Sequence, residues 1–119
     1  FTLKKHKDKI NFTSFHVSHG QIKSTAYVFD KAAYISDCSA IEKIDLKKLI
    51  NLKYLIIDCL KFDRHPSHFN LDQSIYFSNL IKAQKTILTN LHTDLDYKFL
   101  KKNLPKNIIP AYDGMVLKL

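Results

Sequence analysis

Apolar and polar residues alternate along several segments of the chain, which is the pattern of strands with one buried face. The segments "INFTSFHVSHG", "STAYVFD" and "AAYIS" predict three strands, the last two joined by a tight turn at Asp30-Lys31. The continuous apolar run "LKYLIIDCL" predicts a central strand buried on both faces, and "KTILT" predicts another buried strand. The segment "IIPAYDGMVLKL" predicts a last pair of short strands around Asp113-Gly114.

Apolar residues recur with helical spacing in three other segments. "IEKIDLKKLINL" has this spacing, and Asn70 with Gln73 has the spacing of a capping box at the start of a second helix. Thr93 with Asp96 predicts a further capping box, and Leu104-Pro105 ends that third helix. Strands that alternate with helices predict an α/β fold, a mixed sheet with helices on one face.

Composition is that of an ordinary soluble globular domain. The 119 residues are 45% hydrophobic and 25% charged, enough for one structural unit with one core. No apolar run reaches membrane-spanning length, so no membrane partner is expected. The charged start "FTLKKHKDKI" is unlike a signal peptide and has no initial Met, so we expect the chain to begin inside a longer protein. Cys38 and Cys59 lie in apolar runs and predict buried, reduced thiols in a cytoplasmic protein.

The net charge of +8 favours anionic partners such as phosphate esters and nucleic acid. The lysines are scattered in twos along the chain, however, with no block of like charge. This distribution is more typical of a solvated surface than of a binding tail.

Candidate metal ligands lie where the predicted strands end. They are His19, Asp37, Asp58, His92 and Asp94, and a polar loop adds His65 and His68. Imidazole and carboxylate groups at converging strand ends can hold Zn²⁺ or Mn²⁺. Each residue alone also has a structural explanation, as a turn residue, a hydrogen-bonded Asp or an acid near a helix N-terminus. For Asp58, orienting a ligand histidine and burial against backbone donors remain equally open.

The order and spacing of five motifs resemble a known family. They are "VSHG", "AAYISDCS", "LIIDCLKFDRHPSHFNLDQS", "ILTNLHTDLDY" and "AYDGM", and they extend from about Phe15 to near the end of the chain. Together they resemble the C-terminal half of metallo-β-lactamase-fold hydrolases, in particular the phosphoribosyl cyclic phosphodiesterase-like group. The resemblance implies an αββα sandwich and a site with two divalent metal ions, Zn or Mn.

The resemblance also implies roles for individual residues. His19 is similar to a terminal ligand of one metal, Asp37 to the carboxylate that bridges both, and His92 to the terminal ligand of the second. His68 is similar to the family's general acid, with His65 as its neighbour.

The chain departs from the family pattern in two places. Many relatives carry Thr-His where this chain has Thr89-Asn90, and alternate residues of an extended chain point the same way, so we expect His92 to replace the missing ligand. Asn90 is expected to keep a hydrogen-bonding role beside the site, as are Asp58 and Asp94. The family's H-x-H-x-D-H motif, which belongs to its N-terminal half, is absent, so we expect residues 1–119 to be a C-terminal half that alone is inactive.

The predicted function is therefore metal-dependent hydrolysis of a small phosphodiester, including a cyclic one, or of a nucleotide. The alternative is a non-catalytic basic α/β module that binds nucleotide or nucleic acid. A third alternative is a protein with the same fold that hydrolyses an ester or a thioester. A nucleic-acid partner is less favoured, and the sequence leaves a homodimer open.

Overall fold

The computed structural model of the protein describes residues 2–5 and 8–119, with side chains described from residue 9 onward. The described residues form seven strands, two α-helices and one 3-10 helix. The strands are β1 (Thr2–Lys5), β2 (Asp8–His19), β3 (Ile22–Phe29), β4 (Ala32–Ile35), β5 (Tyr54–Asp58), β6 (Lys85–Thr89) and β7 (Ile108–Pro110). The helices are α1 (Leu71–Ile81) and α2 (Tyr97–Asn103), and the 3-10 helix is Lys43–Lys48.

The strands follow one another through a mixed sheet in sequence order. β2 to β7 form a six-stranded sheet, and β1 pairs with residues 8–11 of β2. β2 and β3 are antiparallel, as are β3 and β4, so β2 runs in the same direction as β4. β4 to β7 are all parallel. The last residues of β2, β4, β5, β6 and β7 therefore share one edge of the sheet, called the carboxyl edge below.

Helix α1 packs on one face of this sheet. The Ser78 hydroxyl donates to the Thr86 hydroxyl on β6 at 2.7 Å, and the Ser74 hydroxyl donates to the Asp58 carbonyl on β5 at 2.6 Å. These serines are buried and let the helix approach the strands closely. The predicted mixed sheet with helices on one face is confirmed.

The opposite face of the sheet is more open, which corrects the prediction for β5. Leu55 and Ile57 are fully buried on the helix side, but Tyr54 and Ile56, which alternate with them, are only half-buried. The prediction that β5 is buried on both faces is therefore wrong. Part of the open face is covered by the C-terminal segment 115–119, whose apolar side chains line a cleft of about 270 Å³ with Tyr54 and Ile56.

Several other sequence predictions are confirmed. β3 and β4 form a hairpin, and Asp30 in its turn has φ +49°, a left-handed conformation that Asp tolerates better than most residues. The Asn70 side chain accepts from the Gln73 N–H at 3.0 Å, and the Gln73 side chain accepts from the Asn70 N–H at 3.1 Å. This reciprocal capping box starts α1 where the sequence places it.

Three element predictions are wrong. The segment expected to be a helix after β4 is only a six-residue 3-10 helix. The second capping box is absent, because Asp96 itself caps α2 by accepting from the Phe99 N–H at 2.8 Å. Only β7 forms in the last segment, since residues 111–119 contain no strand. Among the helices described, none is long and apolar enough to cross a membrane.

Candidate metal centre

Three side chains from separate parts of the chain meet at the carboxyl edge. His19 is the last residue of β2, Asp37 lies two residues past β4, and His68 belongs to the loop between β5 and α1. One ligand atom from each lies within 4.8 Å of the others, and all three residues are half-buried. Two imidazoles and a carboxylate are ligands that Zn²⁺ and Mn²⁺ accept, so the group can hold one divalent cation.

His19 is oriented by the loop that carries His68. Its Nδ1 lies 2.7 Å from the carbonyl oxygen of Ser67, and because a carbonyl only accepts, Nδ1 carries the proton and Nε2 has a free lone pair. The next residue, Gly20, has φ +61°, and a Cβ there would lie 2.7 Å from Ser67 Oγ. Glycine at this position therefore lets the loop close against the end of β2 without strain.

Asp37 is held mainly through its backbone. The Ser24 hydroxyl donates a short hydrogen bond to the Asp37 carbonyl, and the Ser36 hydroxyl donates to Oδ2 at 3.2 Å. Its carboxylate remains partly exposed, and Oδ1 lies 3.9 Å from Nδ1 of His68. A carboxylate in this position is available to a cation.

Asp58 is fully buried and joins the loops that carry Asp37 and His68. Its Oδ2 accepts from the backbone N–H of Cys38 at 2.9 Å and lies 2.8 Å from Nδ1 of His68. Burial raises the pKa of the Asp58 carboxyl, and the hydrogen bonds from Cys38, His68 and Asn90 oppose this shift. Asp58 is thus a buried carboxylate bound to a backbone donor, and it also orients His68.

Asn90 closes the polar network from the end of β6. Its Nδ2 donates to Oδ1 of Asp58 at 3.1 Å and lies 3.3 Å from Nδ1 of His68. The expected hydrogen-bonding role of Asn90 beside the site matches these contacts. His65 also lies near the cluster, with its ring 5.2 Å from that of His68 and its Nδ1 accepting from the Ser67 N–H at 3.2 Å.

The structure does not bring His92 and Asp94 to the cluster. The His92 side chain is 57% exposed, and its Nδ1 lies 3.2 Å from Oδ1 of Asp94. The expectation rested on an extended chain beyond β6, but β6 ends at Thr89 and Asn90 has φ +62°. The chain turns at Asn90, so the alternation of an extended strand does not carry over to His92. The metal role of His92 stays a prediction.

The sequence did not reveal two backbone groups that orient residues of the site. The carbonyl of Ser67 and the N–H of Cys38 orient His19 and Asp58, respectively. No residue type marks a backbone donor or acceptor, and Gly20 is the residue whose type could have indicated the close approach.

Comparisons with known proteins identify solved structures that share this fold. No protein-family model and no curated protein matches the chain. Among solved structures, the chain is similar to a diphosphatase of the PhnP family, with 31% identity and a TM-score of 0.91 over 99% of this chain and 46% of that one.

The chain has the fold of one half of a metallo-β-lactamase-superfamily protein. Human tRNase Z, short form, shares this half-fold with a TM-score of 0.69 and 19% identity, over 98% of this chain and 46% of the tRNase. The chain thus spans about half the length of each of these two proteins. The resemblance and the fold class predicted from the sequence are confirmed.

Proposed function

We propose that this metallo-β-lactamase half-fold is part of a metal-dependent hydrolase that cleaves a small phosphodiester, including a cyclic one. The observation that carries the proposal is the meeting of His19, Asp37 and His68 at the carboxyl edge. The likeness to a PhnP-family diphosphatase supports a phosphate substrate. A phosphate-binding module would need basic side chains and no such carboxylate at its centre.

The donor set fits one divalent ion but is too small for two. His19 and Asp37 are the proposed ligands, with Asp37 in the bridging position and His92 as a further candidate. The remaining ligands of a two-metal site of Zn or Mn would come from an N-terminal half carrying H-x-H-x-D-H. We therefore propose that residues 1–119 are a C-terminal half, and we expect that motif in the coding sequence upstream of Phe1. A complete upstream sequence without the motif would contradict this assignment.

His68 is the proposed general acid. Asp58 accepts from Nδ1, which leaves Nε2 as the atom that can carry a second proton and deliver it to the departing oxygen. The buried Asp58 carboxylate fixes the orientation of the ring, and His65 lies beside it. Bound divalent metal would lower the pKa of a water molecule and neutralise charge on the phosphoryl oxygens.

The two cysteines fit a reducing compartment. Cys38 and Cys59 are both free and buried, as the sequence predicted. We propose a cytoplasmic protein whose partner is a small phosphodiester or nucleotide substrate.

Three single variants of the full-length protein test the assignment of roles. Asp37→Ala is expected to lose bound metal and hydrolysis of bis(p-nitrophenyl) phosphate. His68→Ala is expected to lower turnover by about 100-fold or more with metal content unchanged. His16→Ala is the matched control, because His16 is exposed on the same strand as His19, three residues away.

The outcomes separate the alternatives. Loss of metal in His68→Ala would make His68 a ligand and not the acid. Full metal content in Asp37→Ala would contradict the bridging role. Nucleic-acid binding that is insensitive to chelator, without any turnover, would favour the non-catalytic basic module.

A further inference from the structure

A polar cavity of about 530 Å³ opens beside the metal centre, between the ends of β6 and β7. Its wall includes Thr89 and Asn90 on one side and Tyr112 and Asp113 on the other. Asn90 lines the cavity and also lies next to the metal centre, because its Nδ2 is 3.3 Å from Nδ1 of His68. A molecule with one end at the cluster can therefore place its other end in this cavity.

The wall after β7 is built by a defined turn. The Ala111 N–H donates to the Leu88 carbonyl at 2.8 Å, which fastens the segment to β6. The Met115 N–H donates to the Tyr112 carbonyl at 3.0 Å and closes a four-residue turn. Gly114, the third residue of that turn, has φ +86°, a conformation that glycine adopts without steric cost. This turn places Tyr112 and Asp113 in the wall of the cavity that Asn90 also lines.

Tyr112 offers an aromatic surface at the mouth of the cavity. The residue is 56% exposed, and its ring meets that of Tyr97 edge-on, at 6.3 Å between centroids and 87° between planes. Perpendicular packing lets Tyr97 cover at most one face of the Tyr112 ring, so Tyr97 leaves the other face uncovered. An exposed aromatic face beside a cleft suits a planar base, because any nucleobase can stack on it.

Asp113 determines what the rest of the cavity accepts. Its carboxylate disfavours a second phosphate but accepts hydrogen bonds from hydroxyl groups. Thr89 and Asn90 add a hydroxyl and an amide on the opposite wall. The cavity therefore favours a neutral group with several hydroxyls, and its volume lies within the usual range of 300–1,000 Å³, approximately, for small-molecule sites.

We propose that this cavity binds the nucleoside part of the phosphodiester substrate. The base stacks on Tyr112, the sugar hydroxyls bind Asp113 and Asn90, and the phosphate lies at the cluster. The inference rests on the proposed function for its phosphate end, whereas the nucleoside end stands on the cavity itself.

Calorimetric titration of the full-length protein with adenosine and with ribose tests the site without any turnover. Adenosine is expected to bind more tightly than ribose, because only adenosine can stack. Tyr112→Ala should weaken adenosine binding about fivefold or more and leave ribose binding unchanged. Asp113→Ala should weaken the binding of both ligands.

Tyr76→Ala is the matched control, since Tyr76 is a similarly exposed tyrosine at 60% but lies on α1. It should bind adenosine like the unchanged chain. No detectable adenosine binding at millimolar ligand would overturn the proposal. Equal losses in Tyr76→Ala and Tyr112→Ala, or equal affinity for adenosine and ribose, would do the same.

Hydrolysis of bis(p-nitrophenyl) phosphate, which has no nucleoside, separates this proposal from the proposed function. If the full-length protein cleaves that compound but binds no adenosine, the hydrolase is supported and the nucleoside subsite is contradicted. If adenosine binds through Tyr112 but no phosphodiester is cleaved, the nucleoside subsite is supported and the proposed hydrolase activity is contradicted.

Discussion

At the scale of single residues, Asp58 does most to shape the candidate metal centre. A carboxylate at the end of an apolar strand was visible in the sequence, but its partners were not. Cys38, His68 and Asn90 lie 20, 10 and 32 positions away along the chain. Only the parallel arrangement of β4, β5 and β6 brings their loops together. Sequence reasoning could therefore select the residue and could not choose between its two roles.

Removing the Asp58 carboxylate leaves buried donors without acceptors. Asp58→Ala is expected to lower the free energy of unfolding by about 2–4 kcal/mol, because the Cys38 N–H and the His68 ring lose their partner. Urea denaturation measures the change. Asp63→Ala is the control, since Asp63 is exposed in the same loop, and it should shift stability by less than about 0.5 kcal/mol. A similar stability for both variants would show that Asp58 does not organise these loops.

The two thiols should be unreactive in the folded chain. Burial raises the pKa of Cys38 and of Cys59 to about 12, so at pH 8 both are neutral thiols rather than nucleophilic thiolates. Iodoacetamide at pH 8 is expected to label neither cysteine until urea unfolds the chain, as read by mass spectrometry. Rapid labelling of native protein would contradict the buried placement of both residues.

At the scale of elements, local signals predicted what local interactions determine. The Asn70–Gln73 capping box joins residues three positions apart, so its spacing was sufficient to predict the start of α1. The same spacing at Thr93 failed, because Asp96 offers a carboxylate one residue before α2 and caps it instead. The short 3-10 helix and the missing last strand reflect packing, which periodicity in a short segment does not determine.

The two capping predictions can be compared by experiment. Asn70→Ala is expected to destabilise the chain by about 1 kcal/mol, because the Gln73 N–H loses its acceptor. Thr93→Ala should have little effect, since Thr93 is exposed and Asp96 supplies the cap of α2. Thermal unfolding of both variants measures the difference. A larger loss in Thr93→Ala would contradict the caps described above.

At the scale of the whole molecule, the parallel direction of β2 and β4 to β7 produces the candidate metal centre. This shared direction places His19, the loop after β4 and the loop after β5 at one edge. The order of elements and their likeness to a family predicted this convergence for His19 and Asp37. The sequence could not show that the chain turns at Asn90, because only the backbone conformation reveals where His92 lies.

The half-length of the chain relative to its structural neighbours has a consequence for metal binding. His19 and Asp37 are the proposed ligands at the cluster, whereas a two-metal site needs more, so we expect residues 1–119 alone to bind a single ion weakly. The proposed N-terminal half would raise the affinity by adding ligands. The cluster should nevertheless be detectable by a method that observes individual histidines.

The most direct test is a Zn²⁺ titration of the 119-residue chain, followed by NMR of the histidine rings. The His19 ring signals should shift toward saturation, those of exposed His16 should not, and Asp37→Ala should abolish the His19 response. If His19 does not respond to Zn²⁺, or responds equally in Asp37→Ala, the two residues do not share a cation and the proposed metal centre is wrong.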